Sequence, residues 1–203
     1  MLKKLFVLLL IVGVSSAINA QIQAPQPSPA AKISQVVGLT DVSIEYSRPA
    51  MRGRTIFGDL VPFGKVWRTG ANANSKITFG HNVKVDGQEL KKGTYAIYTI
   101  PNETSWDVIF YSDSNNWGTP QKWDESKVAA KTTANVNIIE ATIESFTFMI
   151  DDVKSGGATI GILWDNVYVG VPFEVPTDAI TMKSIENVMS GPSSNDYFQA
   201  ASY

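Results

Sequence analysis

Gly93-Thr94-Tyr95-Ala96-Ile97-Tyr98-Thr99-Ile100-Pro101-Asn102, followed closely by Trp106-Asp107-Val108-Ile109-Phe110-Tyr111, is the stretch on which the reading of the fold turns. Gly93 opens a run rich in β-branched and aromatic side chains, and Pro101-Asn102 closes it. Such side chains fit a pleated, half-buried surface, whereas proline and asparagine interrupt one. The second run begins at hairpin distance, so the pair reads as two antiparallel strands. Upstream, Ser43-Ile44-Glu45-Tyr46, Lys76-Ile77-Thr78-Phe79 and Asn82-Val83-Lys84-Val85 alternate polar and apolar residues, which places one face of each in a core. Asp86-Gly87 marks a tight hairpin, since both residues tolerate positive φ. Downstream, Ser145 to Ile150 and Ala158 to Trp164 read as strands joined through Asp151-Asp152 and Gly156-Gly157. Asp165-Asn166 reads as another tight turn before a last strand, Val167 to Val175. Roughly eight to ten short strands at regular spacing predict an all-β fold. The expected architecture is an antiparallel β-sandwich, or a partly open barrel, rather than a parallel α/β sheet.

The two ends depart from this pattern. Lys3 and Lys4 precede an apolar run from Leu5 to Val14, and Ser15 to Ala20 is small and polar, so residues 1–20 read as a secretory signal peptide cut after Ala20. The alternative, an N-terminal membrane anchor, meets the objection that a bilayer span needs about 20 apolar residues. No membrane span is expected once the signal is removed. Residues 21–31 hold three Pro and three Gln and read as a flexible lead-in to a β domain over residues 32–176. Beyond Pro176 the period changes. Thr177-Asp178 offers an N-cap to a short amphipathic helix from Ala179 to Met189, Gly191-Pro192 stops it, and Ser193 or Ser194 caps a second one. Residues 177–203 thus form a short C-terminal helical segment.

Composition removes several chemistries. The chain of 203 residues has no Cys and one His, His81. Disulfides, thiolate metal sites, Cys nucleophiles and any site needing two imidazoles are excluded. His81, after Gly80 and without triad spacing around it, reads as a surface or packing residue. Without Lys3 and Lys4 the chain keeps 15 basic and 19 acidic residues, a net charge of −4. That balance argues against a nucleic-acid partner. Phosphate-loop, dinucleotide, nucleophile-elbow and zincin motifs are absent from the sequence, so no cofactor or metal is implied.

One segment stands against the acidic background. Residues 48–76 carry Arg48, Arg52, Arg54, Lys65, Arg68 and Lys76 against a single acid, Asp59, for a local charge of +5. Every Arg of the chain lies there. A guanidinium is a rigid fork matched to carboxylate or phosphate. The functional reading is a site for a small polar or anionic ligand built from Arg48, Arg54, Trp67, Arg68, Asn72 and Asn74. The structural reading is that these side chains staple a long irregular loop, bonding its carbonyls and pairing with Asp59, Glu45 or Asp41.

The same segment carries a family resemblance. Tyr46-Ser47-Arg48-Pro49, Gly53-Arg54, Ile56-Phe57-Gly58, Leu60-Val61-Pro62 and above all Val66-Trp67-Arg68-Thr69-Gly70-Ala71-Asn72 resemble the bacterial family filed as domain of unknown function 2911, found mostly in Bacteroidetes. The resemblance runs over roughly residues 28–175. It implies an exported β-rich domain with no established activity, and it supplies no catalytic residue. Some relatives continue into helical repeats, and residues 184–203 are similar to the start of such an extension.

Two other chemistries compete. Asp151, Asp152 and Asp165, or Asp124-Glu125 beside Trp123, could serve a hydrolase acting on polar or carbohydrate substrates, because paired carboxylates suffice for glycoside cleavage. Asp at turns is equally expected from turn chemistry. Asp151 and Asp152 could also hold Ca²⁺, though no Ca²⁺-loop motif supports it. Trp106 and Trp164 fall in strands and read as core; Trp117 and Trp123 fall in a loop, as plugs or as exposed platforms. The sequence therefore points first to an exported, non-enzymatic binding module. The alternatives are a carboxylate hydrolase and a scaffold whose terminal helices take a protein partner. Expressed in a Gram-negative host, the chain should appear in the periplasm with Gln21 as its first residue; N-terminal sequencing that finds Met1 on a membrane-bound product would refute the signal peptide.

Overall fold

A computed structural model describes residues 24–202; the predicted signal peptide lies outside them. Nine strands form one antiparallel sheet: β1 (Ala30–Val37), β2 (Thr40–Ser47), β3 (Ser75–Phe79), β4 (Val83–Val85), β5 (Gln88–Leu90), β6 (Gly93–Pro101), β7 (Ser105–Tyr111), β8 (Val128–Lys154) and β9 (Gly157–Glu174). Their spatial order is β1-β2-β3-β6-β7-β8-β9-β4-β5, and the sheet does not close on itself. The alternation read from the sequence is the alternation observed. Val42, Ile44 and Tyr46 of β2 point inward, with Asp41 and Glu45 outward. Asp86 and Gly87 both have positive φ, 50° and 73°, and Val85 pairs with Gln88 across them, as the hairpin signal requires. β1 starts at Ala30, and the carbonyls of Pro27, Ser28 and Pro29 are already bonded to the body, so order begins inside the expected lead-in.

The sheet folds over because two strands are long. Residues 128–135 of β8 pair with β7, and residues 136–154 pair with β9. At the change of partner the register slips: Ile138 faces Val167, but Ile143 faces Asp165. Asp165 sits there at φ 55°. Asp165-Asn166 is therefore not the tight turn the sequence suggested. It is the partner of a bulge within one continuous strand, and the bulge bends β8 from one layer into the other. The layers enclose one core, with Ile44, Ile77, Phe79 and Trp106 from the first and Phe146, Phe148, Trp164 and Phe173 from the second.

The outward edges of β8 still need partners, and they receive them without a tenth strand. The Gln88 amide donates to the Lys131 carbonyl (2.7 Å) and accepts from its N–H (3.3 Å), imitating a paired peptide. Further along, Phe146 N–H donates to Pro49 O (2.9 Å) and Met51 N–H to Glu144 O (2.8 Å). On the outer face of β6 and β7 a second cluster forms around Ala96, Tyr98, Ile109 and Tyr111, and Trp123 from the β7–β8 loop caps it. Trp123 is thus a plug, and Trp106 and Trp164 are core as expected.

Helix α1 (Thr177–Met189) starts at Thr177, two residues before the predicted Ala179. Pro176 occupies the N-cap position with no side-chain cap, and the Thr177 hydroxyl donates instead to Ser155 O in the β8–β9 turn. Gly38, at φ 56° in the β1–β2 turn, meets the same spot; a Cβ there would collide with both Thr177 and Ser155. Gly191, at φ 72°, ends the helix as expected. Ser193 and Asp196 form a reciprocal cap at the start of α2 (Ser194–Ser202). Neither helix buries a residue, and no helix among the described residues is long and apolar enough to cross a membrane.

Phe146→Ala should cost about 3–5 kcal/mol, because its ring is fully buried between four other aromatics. Val188→Ser, on the exposed face of α1, should change stability by less than about 0.5 kcal/mol. Urea unfolding of the two variants checks both; equal losses would mean that the helix belongs to the core.

Candidate binding cleft

Trp67 anchors the long segment between β2 and β3. Its backbone exchanges two hydrogen bonds with Thr99 of β6 (2.8 and 3.0 Å), filling the edge that β3 leaves unpaired. Its indole then lies on Trp164 with rings nearly parallel, 16° apart and 6.0 Å between centroids. The edges of Trp106, Phe146 and Phe57 surround it at 5.2–6.4 Å. The indole N–H donates to Gly70 O (3.2 Å). This aromatic packing holds the rest of the segment at fixed height above the sheet.

Above Trp67 and Trp164 lies a cleft of about 260 Å³, walled by Pro49, Leu60 and Val61 and rimmed by Arg54 and Arg68. Wider hollows of 330–440 Å³ lie on the outer strand surfaces, but none contains an Arg or a Trp. A guanidinium carries five N–H donors. Arg54 donates from Nε to Met51 O (2.9 Å) and from Nη2 to Ala50 O (2.6 Å). Arg68 donates from Nη1 to Asn72 O (2.9 Å). Both keep donors over. Neither is ion-paired: among the described residues the ion pairs are Lys32–Glu45, Lys127–Asp113 and Lys131–Asp107, and none involves Arg. The pairing with Asp59, Glu45 or Asp41 expected of a stapled loop is therefore not made.

The six candidate residues divide. Arg54, Trp67 and Arg68 come together at the cleft. Arg48 does not reach it. Its Nε donates to Phe146 O (3.1 Å) and its Nη2 to Thr147 Oγ1 (2.8 Å), so it closes the edge of β8. Asn72 sits at φ 60°, and its amide donates to Ser28 O (3.2 Å) and Ser47 Oγ (3.3 Å), tying the first strand pair down. Asn74 is 3% exposed and works on the β7–β8 loop: its amide donates to Ser114 O (3.0 Å), its Oδ1 accepts from Asn116 N–H (2.8 Å), and its own N–H donates to Asn116 O (3.1 Å). Leu60, Val61 and Trp164 are cleft residues that the search for polar chemistry passed over. Trp164 lies almost a hundred residues from Trp67, and nothing local joins them.

The carboxylates are spent locally. Asp124 accepts from Ser126 N–H (3.0 Å), and Glu125 accepts from the Trp123 indole (2.9 Å). No group of three His or acidic residues able to hold a metal occurs among the described residues. His81 is exposed, with Nδ1 3.3 Å from Thr40 Oγ1. Burial pushes the Tyr98 phenol up to about 12, and its hydroxyl, neutral at any ordinary pH, donates to Gly118 O (3.2 Å). The Lys127 ammonium beside Asp113 holds that carboxyl below the usual range.

A family model described as a protein of unknown function, DUF2911, matches residues 28–173, nearly the range over which the motifs above resemble it. No curated protein and no solved structure matches the chain.

Asn74→Ala should cost about 1–3 kcal/mol, since it strands the N–H of Asn116 and the carbonyl of Ser114. Arg68→Ala, which loses one hydrogen bond, should cost about 1 kcal/mol or less. Thermal unfolding distinguishes them; a collapse of the Arg68 variant would make Arg68 a staple. The contribution of Asp113 to the loop is present above the usual carboxylate pKa and lost as pH falls through its lowered folded value. Asp113→Asn should remove that acid step from the near-ultraviolet circular dichroism.

Proposed function

The chain belongs to the DUF2911 family, and we propose that it serves as an exported, non-enzymatic binding module whose cleft takes a small polar anion. One observation carries this reading: Arg54 and Arg68 rim an aromatic-floored cleft, and neither is ion-paired. In a chain of net negative charge, charge-assisted donors left over in a concave site favour an incoming anion. Export rests on the signal peptide read from the sequence. Against a hydrolase stands the spacing of the acids. Asp151 lies opposite Thr159, and Asp165 is six residues further along β9, roughly 20 Å at strand rise. Paired acid chemistry at a sugar needs about 5–9.5 Å. A second reading, a protein-interaction role for the tail, is favoured by Met182, Ile185, Val188, Met189, Tyr197 and Phe198, all exposed on the two helices.

A thermal-shift series on the exported, processed chain tests the first reading. Acetate, phosphate or galacturonate at 100 times its dissociation constant should add about 2.7 kcal/mol if it binds only the folded state. Arg54→Ala and Arg68→Ala should abolish the shift while leaving the unliganded transition in place. No shift with any anion would refute an anion site.

A further inference from the structure

Trp117 is the one tryptophan left in water, 79% exposed at the tip of the β7–β8 loop. Its neighbours show that this exposure is built. Asn116, just before it, is held by Asn74 through backbone and side chain, and its own amide donates to Asp113 O (3.0 Å). Gly118, just after it, is buried, and its carbonyl accepts from Tyr98. Lys76 donates to Asn115 Oδ1 (2.8 Å), and the Lys127–Asp113 pair closes the base of the loop. A loop fixed on both sides of an exposed ring presents that ring, with little ordering left to be done on binding. Trp123, eleven residues from the start of the same loop, shows the contrast: its ring packs on Tyr98 and Tyr111.

The platform adjoins Arg68, a residue of the cleft. Gly118 stands at φ 90°, and a Cβ there would lie 2.9 Å from Nη1 of Arg68. The residue after Trp117 sits at a φ that favours glycine, with the Arg68 guanidinium beside it. One α-carbon step of about 3.8 Å separates Trp117 from that position, so a ligand of two or more rings can span from the indole to the Arg68 fork. A flat apolar ring, a cation beside it and the free amide hydrogens of Asn115 form a definite set. Pyranose rings offer a face of C–H groups to an indole and hydroxyls to amides, and a charged sugar pairs with the guanidinium more strongly than a neutral one.

We infer that Trp117 is a stacking platform continuous with the cleft, and that the ligand is an anionic oligosaccharide whose charged unit sits on Arg68 while the adjoining ring stacks on Trp117. This rests on the cleft being the anion site proposed above. A nucleotide also joins a ring to an anion and is the competing ligand.

Calorimetric titration of the exported, processed chain with trigalacturonate, a sulfated galactotriose, uncharged maltotriose, galacturonate and AMP decides between them. Trigalacturonate or the sulfated trisaccharide should bind and maltotriose should not, and which of the two binds identifies the anion. Trp117→Ala should weaken that trisaccharide about 10-fold or more, with galacturonate unchanged. Because Trp117 buries so little, this variant should unfold with the parent. Trisaccharide affinity unchanged in Trp117→Ala, with Arg68-dependent binding of galacturonate retained, would overturn the platform and leave the anion site standing. Binding of AMP in preference to either charged trisaccharide would overturn the saccharide assignment. Failure of every anion, galacturonate included, would overturn both.

Discussion

A strand that passes from one layer to another changes partners on the way and leaves edge groups to be satisfied by something else, and β8 is such a strand. Burying an unpaired peptide group costs more than a surface sheet can spare. β7 and β9 each satisfy part of β8. What remains is met by parts that are not strands at all: the Gln88 side chain at one end, and the Pro49–Met51 backbone with Arg48 at the other. The segment from Tyr46 to Lys76 is therefore pinned to β8 before any question of ligand arises. Trp67 then fixes it a second time, through β6 and through the stack on Trp164.

This division of labour accounts for the uneven behaviour of the arginines. Arg48 is consumed by the sheet edge. Arg52 donates to Pro27 O (3.0 Å), holding the approach to β1. Arg54 and Arg68 spend part of their donors on nearby carbonyls, and both line the cleft. The hydrogen bonds of the basic segment thus divide residue by residue. The carbonyl-bonding half of the staple reading describes Asn72 and Asn74 and, in part, all four arginines, since each donates to at least one backbone carbonyl. Its ion-pairing half describes none of the arginines.

Much of this was legible beforehand. Alternation and turn residues gave β2, the β6–β7 hairpin and the Asp86-Gly87 turn, because those signals are local and each strand has one wet face. The β8–β9 corner was misread, since Asp165 at positive φ looks the same in sequence whether it turns a chain or answers a bulge. The charge of the basic segment was visible, but its partition between edge and cleft depends on Phe146 and Trp164, which lie far along the chain. Trp117 and Trp123 could not be told apart, because exposure is decided by Tyr98 and Tyr111 beneath one and nothing beneath the other.

The distance in sequence between partners has a kinetic side. Pro49 meets Phe146, Trp67 meets Trp164, and β4 meets Phe173 and Glu174 of β9. Contacts this far apart close large loops, and topologies dominated by them fold slowly. The β4–β5 hairpin pairs neighbouring residues, but the other edge of β4 is covered only by Phe173 and Glu174. The floor of the cleft is likewise made by a contact that spans almost a hundred residues, Trp67 on Trp164.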